Sequence, residues 1–231
     1  MLFSIAMANA KVYLVTVGVS DYPGTRNDLR LPHNDAATMQ WLYKQNKGAA
    51  TILLMNNKAT LANVKSALNK MCAKATKDDI VVFFFSGHGV KGGFMCYDGC
   101  LKYSDVRTAM ASCASKNKMI FADACFSGSI RESGTKSAAD YGGLKGSNLM
   151  LFLSCRSNEV SIETPKMTNG FFTYALQHGL RGGADANKDK LITAKELFNY
   201  VSKKVKQKSN NMQHPVMWGK FSDNMVVMSW K

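Results

Sequence analysis

Two rhythms alternate along this chain. Short, unbroken apolar runs recur, and between them apolar residues fall three and four apart. The first run, Val12 to Val19, is mostly apolar and β-branched and reads as a strand, with turn chemistry after it at Tyr22-Pro23-Gly24. A helix is expected next, capped by Asn34 or Asp35 and carrying Ala37, Met39, Trp41 and Leu42. Thr51 to Met55 reads as a short strand, and Thr60 opens a helix with Leu61, Val64, Leu68 and Met71 at helical spacing. Asp79 leads into the strongest strand, Ile80 to Phe85. Phe94 to Leu101 alternates around Asp98-Gly99, a hairpin signal. Ser104 is expected to cap a helix to about Ala114, and Lys118 to Ala122 is another buried strand. Later come a strand (Leu149 to Leu153), two helices (Gly170 to Leu180 and Ala194 to about Lys206) and a last strand near Val226.

Continuous apolar strands separated by amphipathic helices predict a mainly parallel sheet covered on both faces, an α/β three-layer sandwich. From Ser127 to Ser147 the composition turns to Gly, Ser, Lys and Asp, which marks a linker. Residues 11–231 therefore read as one domain in two parts, 11–128 and 148–231, joined by residues 129–147. With 231 residues, 46% of them apolar, the chain can fill a core, which excludes a disordered basic tail protein. No run approaches the roughly 18 apolar residues of a membrane-spanning helix.

Charge and cysteine content narrow the partners. Thirty basic against 16 acidic side chains leave +14. The lysines are spread from Lys11 to Lys231, and the densest patch is Lys203, Lys204, Lys206 and Lys208. No helix-turn-helix, zinc-finger or RNA-recognition pattern accompanies them, so no specific nucleic-acid partner is expected. Six cysteines (Cys72, Cys96, Cys100, Cys113, Cys125, Cys155) lack zinc-site spacing and read as free thiols, most of them buried; whether Cys96 and Cys100 meet across the hairpin stays open. Residues 1–10 read as the end of an export signal, with apolar Leu2 to Met7 running into Ala8-Asn9-Ala10. A secreted or periplasmic location is expected on that reading. The missing basic leader leaves a cytoplasmic one as the alternative. His33, His178 and His214 read as turn or surface histidines, Met212, Met217, Met225 and Met228 as core filler, and no phosphate-binding glycine loop is present.

Two predicted strands end in reactive groups. The run IVVFFF passes into Ser86-Gly87-His88-Gly89, and MIFA passes into Asp123-Ala124-Cys125-Phe126-Ser127-Gly128. In parallel sheets ligands bind beyond the carboxyl ends of strands, so neighbouring strands would place His88 and Cys125 on one rim. A thiol attacking a carbonyl needs a base and an oxyanion pocket. His88 supplies the first, and the backbone N–H groups of Cys125 and Gly89 the second. The alternative is a buried small hydrophobe and a satisfied loop histidine.

The strings FFFSGHGV and FADACFSGS resemble the catalytic pair of caspase-like cysteine peptidases, most closely the metacaspase and bacterial caspase-like (orthocaspase) branch. VTVGVSDY, LRLPHNDA, LFLSCRSNEVSIE and GFFTYAL extend the resemblance over about Lys11 to Tyr200. The spacing of 37 positions from His88 to Cys125 is shorter than the roughly 50 typical of caspases. The resemblance implies a mainly parallel six-stranded sheet between helices, Cys125 as nucleophile and His88 as general acid/base. It also implies that Asp35 and Asp123 form an acidic pocket for the residue before the cleaved bond. Two carboxylates in a narrow slot favour Lys or Arg, so cleavage of protein or peptide substrates after basic residues is expected. Ser154 is expected to line the same pocket. Self-cleavage in the linker would fall at Arg131, Lys136 or Lys145. The alternatives are a non-catalytic caspase-like interaction module and a clostripain-like peptidase of the same fold. A monomer is expected.

The chemistry needs no cofactor, but a calcium loop is a candidate between the last two helices. Asp185, Asn187, Asp189 and Glu196 fall at positions 1, 3, 5 and 12 of the template, with Thr193 at position 9. Lys190 stands at position 6, where such loops carry Gly. The alternative is a helix-connecting turn that keeps the loop's shape without Ca2+.

Overall fold

The apolar runs become strands because every residue in them is claimed by one of two hydrophobic layers. The structure is a computed structural model and describes residues 10–46, 48–124, 148–156 and 167–229. β1 (Val12–Gly18), α1 (Pro32–Lys44), β2 (Ala50–Met55), α2 (Leu61–Lys74) and β3 (Ile80–Gly87) open the chain. A small meander follows, β4 (Gly89–Val90), β5 (Gly93–Met95) and β6 (Cys100–Lys102), then α3 (Tyr103–Ser112) and β7 (Asn117–Ala124). After β8 (Asn148–Leu153) come α4 (Phe171–His178), β9 (Leu191–Thr193), α5 (Ala194–Lys208), β10 (Val216–Lys220) and β11 (Val226–Ser229).

The main sheet has six strands in the order β10-β8-β7-β3-β1-β2. All neighbours pair in parallel except β10, which runs antiparallel to β8. Alternate residues of each strand face opposite layers. Val15, Val17, Phe83, Phe85, Ile120 and Ala122 meet α2, α3 and the meander. Leu14, Val82, Phe84, Met119, Phe121 and Phe152 meet α1, α4 and α5. The result is the expected α/β/α sandwich, with the expected hairpin turning at Asp98-Gly99.

Several local expectations are corrected. α1 begins at Pro32, with Leu31 in the N-cap position, so neither Asn34 nor Asp35 caps it. Proline's fixed φ and missing N–H suit a first helical position, which starts the helix early. Ala36, Met39, Leu42 and Tyr43 then face the sheet, while Trp41 is rotated outward, 49% exposed, with the Arg181 guanidinium 5.6 Å from its ring centroid. α3 starts one residue before Ser104, its N-cap position held by Lys102. α4 stops at His178, and a wider turn continues to Gly183. Thr60 does cap α2, its side chain accepting from the Asn63 N–H at 3.2 Å. The strand near Val226 forms, but in a separate two-stranded sheet with β9. The edge strand β10 had no alternation to announce it. Of the C-terminal methionines, Met225 and Met228 are buried, whereas Met212 is 60% exposed. No helix among the described residues is long and apolar enough to cross a membrane.

Candidate active site

β3 and β7 lie side by side in parallel, with Ser86 opposite Asp123 and Gly87 opposite Ala124. His88 and position 125 come next along the two strands. Cys125 itself lies outside the described residues, as do Arg131, Lys136, Lys145 and residues 1–9 of the expected export signal. Gly87 carries a φ of 153°, and a Cβ there would sit 2.7 Å from the Tyr22 hydroxyl and 3.1 Å from the Phe85 ring. Only glycine fits that turn, and the turn aims His88 beyond the sheet.

Three hydrogen bonds hold the His88 backbone to the meander. The His88 N–H donates to the Tyr22 hydroxyl at 2.9 Å, and that hydroxyl donates to the Met95 carbonyl at 3.0 Å. The Met95 N–H returns to the His88 carbonyl at 2.9 Å. The Tyr22 hydroxyl thus stands inside the ladder, where a direct His88-to-Met95 bond would otherwise run. Gly89 opposite Phe94 is then a non-hydrogen-bonded pair, which turns the Gly89 N–H away from β5. Burial keeps the Tyr22 phenol protonated far above its ordinary value.

The imidazole is oriented as well. Its Nε2 lies 2.7 Å from the Asn27 carbonyl oxygen, and its ring centroid 4.9 Å from that of Tyr22. A carbonyl only accepts, so Nε2 carries the proton and Nδ1 keeps the lone pair for proton exchange. Asn27 belongs to a single 3-10 turn, Thr25–Asn27, between β1 and α1.

Asp35 and Asp123 are brought together from distant parts of the chain, 2% and 5% exposed. Asp35 accepts from the Ser86 hydroxyl at 2.8 Å, from the Asn169 side-chain amide at 2.9 Å and from the Gly170 N–H at 3.1 Å. Asp123 accepts from the Thr173 N–H at 3.1 Å and the Thr173 hydroxyl at 2.8 Å. Both carboxylates therefore meet the amino end of α4, whose free N–H groups and dipole favour negative charge. Burial, followed by the neighbouring Asp123 carboxylate, still pushes the Asp35 pKa well above the ordinary value of 3.8. The pair is poised to bind a cation, or to share a proton without one. The fully buried Ser154 hydroxyl meets the backbone of Ala124, accepting from its N–H at 3.2 Å. It braces the strand that leads to position 125.

Sequence reading assigned no role to Tyr22, Asn27, Ser86, Asn169 or Thr173. Asn27 acts through its backbone, which no residue type announces. Asn169-Gly170 ahead of an apolar helix is a cap-like pattern, and the signal stops there.

The loop from Asp185 to Glu196 closes on its own donors. The Asp185 carboxylate accepts from the Asp189 and Lys190 N–H groups at 3.2 and 3.0 Å, and Asp189 accepts from the Leu191 N–H at 2.8 Å. Asn187 accepts from the Asp189 N–H at 3.0 Å. Glu196 and Thr193 form a reciprocal capping box at the start of α5. Lys190 takes the left-handed φ of 66° at the position where glycine is usual. No group of three or more His, Cys, Asp or Glu side chains among the described residues is arranged to hold a metal ion.

A family model described as "Caspase domain" matches residues 11–226. Among solved structures, a protein from Geobacter sulfurreducens matches with a TM-score of 0.69 at 19% identity, covering 92% of this chain and 95% of that one. Caspase-1 from Spodoptera frugiperda matches with a TM-score of 0.69 at 14% identity, covering 94% of this chain and 88% of the other. At such identities the likeness is one of fold. A search of curated proteins finds no match.

Proposed function

The chain belongs to the caspase-domain family, and from that premise we propose that it is a cysteine endopeptidase cleaving peptide bonds after Arg or Lys. One observation carries the specificity. Two buried carboxylates, Asp35 and Asp123, meet the same helix start at residues 170–173 by the carboxyl end of the sheet, beside the strand that delivers His88. A guanidinium or ammonium entering there would replace carboxylate repulsion with charge-assisted hydrogen bonds.

In this reading the Cys125 thiol gives its proton to Nδ1 of His88, and its sulfur attacks the substrate carbonyl carbon. The backbone N–H groups of Gly89 and Cys125 receive the oxyanion. His88, anchored through Nε2 to Asn27, passes a proton from Nδ1 to the departing amine. The acyl-enzyme is then hydrolysed by a water from which His88 takes a proton. Arg131, Lys136 and Lys145 suit the same specificity and are the proposed self-cleavage positions.

The test is hydrolysis of matched fluorogenic peptides ending in Arg, Lys or Asp by wild type, Cys125→Ala and Asp123→Asn, with and without calcium. Cleavage after Arg and Lys, abolished by Cys125→Ala and weakened by Asp123→Asn, is the expected result. Cleavage after Asp would retain the peptidase and discard the acidic pocket. No cleavage by folded, reduced protein would favour an interaction module. Intact mass after long incubation tests the linker positions, and an uncut chain would refute them.

A further inference from the structure

The densest run of positive charge in the chain, Lys203, Lys204, Lys206 and Lys208, falls in the last two turns of α5. Leu197, Val201 and Val205 fill the buried side of that helix. The lysines take its outer side, where Lys203, Lys206 and Lys208 are exposed and Lys204 is half-buried. No Asp or Glu occurs in residues 167–184 or 197–222, which include α4, the wide turn after it and most of α5. Among the described residues no carboxylate forms an ion pair with any of the four lysines. Glu196 is held in its capping box, and Asp223 is met by Lys195 at 3.5 Å. The carboxyl end of a helix supplies only about half a negative charge, so its dipole leaves most of this positive charge unanswered.

Aromatic rings stand where counter-ions would. The Lys208 ammonium lies 4.4 Å from the ring centroid of Tyr174, on α4, and the Lys204 ammonium 5.7 Å from that of Tyr200. Lys204 and Lys208 are one helical turn apart, which sets them on one ridge with a spacing of roughly 6 Å along the axis. Beside them the exposed His178 ring, at the end of α4, meets the Tyr174 ring at 4.4 Å. Cations interleaved with ring faces suit single-stranded nucleic acid, in which phosphates need neutralising and bases need a surface to stack on. An acidic membrane calls for apolar side chains that insert beside the charge, and α5 turns its apolar face to the core.

We propose that the outer face of α4 and the last two turns of α5 bind single-stranded nucleic acid without sequence preference. Lys203, Lys204, Lys206 and Lys208 neutralise phosphates, and His178, backed by Tyr174, stacks on a base. Contacts to phosphates and ring faces carry no sequence information, in keeping with a chain that has no sequence-reading motif. Tyr174 follows Thr173, the residue that holds Asp123, so this face reaches the helix start used by the acidic pocket while sharing none of the pocket's side chains.

The experiment follows the fluorescence anisotropy of labelled oligothymidine and oligouridine with the full-length Cys125→Ala chain, over a range of salt concentrations. Four phosphate contacts predict a log–log salt slope of about −2.8 and a Kd of roughly 1–100 μM near physiological salt. Replacing Lys204 and Lys208 together by Gln should weaken binding roughly 25-fold at about 0.1 M salt and make the slope shallower by about 1.4. Lys70 and Lys74 are an exposed pair of the same spacing on α2, across the sheet, and their replacement by Gln should leave Kd within about twofold. His178→Ala should weaken binding about fivefold or more, yet bind an abasic strand of equal length as the unreplaced chain does. Whichever of the two strands binds more tightly identifies DNA or RNA as the preferred class. Equal losses from the two lysine pairs would overturn the proposal, because binding would then follow net charge alone. So would no binding at low salt, or binding to phosphatidylserine vesicles at lower protein concentrations than to either strand. A His178→Ala loss shared by the abasic strand would overturn the stacking role. Cleavage plays no part in these readouts, so failure here and failure of the peptidase reading are told apart.

Discussion

Replacing Tyr22 with Phe tests the strut that holds His88. The substitution removes one oxygen and leaves the ring, which packs 4.9 Å from the imidazole, in place. That oxygen serves two partners, accepting from the His88 N–H and donating to the Met95 carbonyl. Both backbone groups would lose their partner in a site where Tyr22 is only 7% exposed. A buried polar group left unsatisfied costs about 1–3 kcal/mol, so the pair should cost about 2–4 kcal/mol after some relaxation. At about 2–4 °C per kcal/mol for a chain of this size, Tm should fall by about 5–15 °C. The surviving bond from the Met95 N–H to the His88 carbonyl keeps the strand attached but lets the imidazole swing. On the proposed mechanism His88 acts on the reacting atoms and not on the basic side chain of the substrate, so kcat should fall about tenfold with KM within about twofold. Thermal unfolding by circular dichroism and steady-state hydrolysis of an Arg peptide, at a temperature where the variant is folded, give both numbers. A Tm within 2 °C of wild type (roughly half the smallest expected shift) would refute the hydrogen-bond argument. A lowered Tm with unchanged kcat would refute the positioning role alone.

Asp35→Asn should flatten the pH dependence of stability. Asp35 has a folded-state pKa raised above 3.8, so the folded chain binds more protons than the unfolded chain, and its contribution is lost as pH rises through the folded value. Wild-type Tm should therefore decline more steeply than that of the variant as pH climbs from 3.8, and parallel curves would refute it. The variant should also lose about 10–100-fold in kcat/KM for Arg peptides, the worth of one charge-assisted hydrogen bond, and an unchanged value would remove Asp35 from the pocket. Gly170→Ala would place a methyl 2.6 Å from an Asp123 oxygen, so KM for Arg peptides should rise with little change in kcat; kinetics identical to wild type would show that the carboxylate can move aside. Glu196→Ala breaks the capping box of α5 and should cost about 1–2 kcal/mol of stability without altering kcat, which denaturant unfolding beside a peptide assay would check.

The layers of this fold were legible because burial on both faces forces runs such as Ile80 to Phe85 to be apolar throughout, and a one-sided helix must repeat its apolar residues. The candidate pair was legible because His88 and Cys125 each follow an apolar strand with glycine close by, and parallel pairing of β3 and β7 sets Gly87 opposite Ala124, the residues just before them. Helix starts were less legible. Pro32 began α1 before the residues that looked like its cap, and Ala36, Met39, Leu42 and Tyr43 fill its buried face while Trp41 lies at the surface.

By itself the sequence determined the α/β class, the order of most elements, the family resemblance and the candidate reactive side chains, because each is written in local periodicity or in a short string. Tertiary structure alone decided how those groups are held. The Asn27 carbonyl that sets the His88 tautomer, the Tyr22 hydroxyl inside the β4–β5 ladder and the α4 amino end between Asp35 and Asp123 act across long sequence separations. Such contacts depend on where separate elements meet when the sheet closes its two cores, and no local pattern in the chain encodes that meeting.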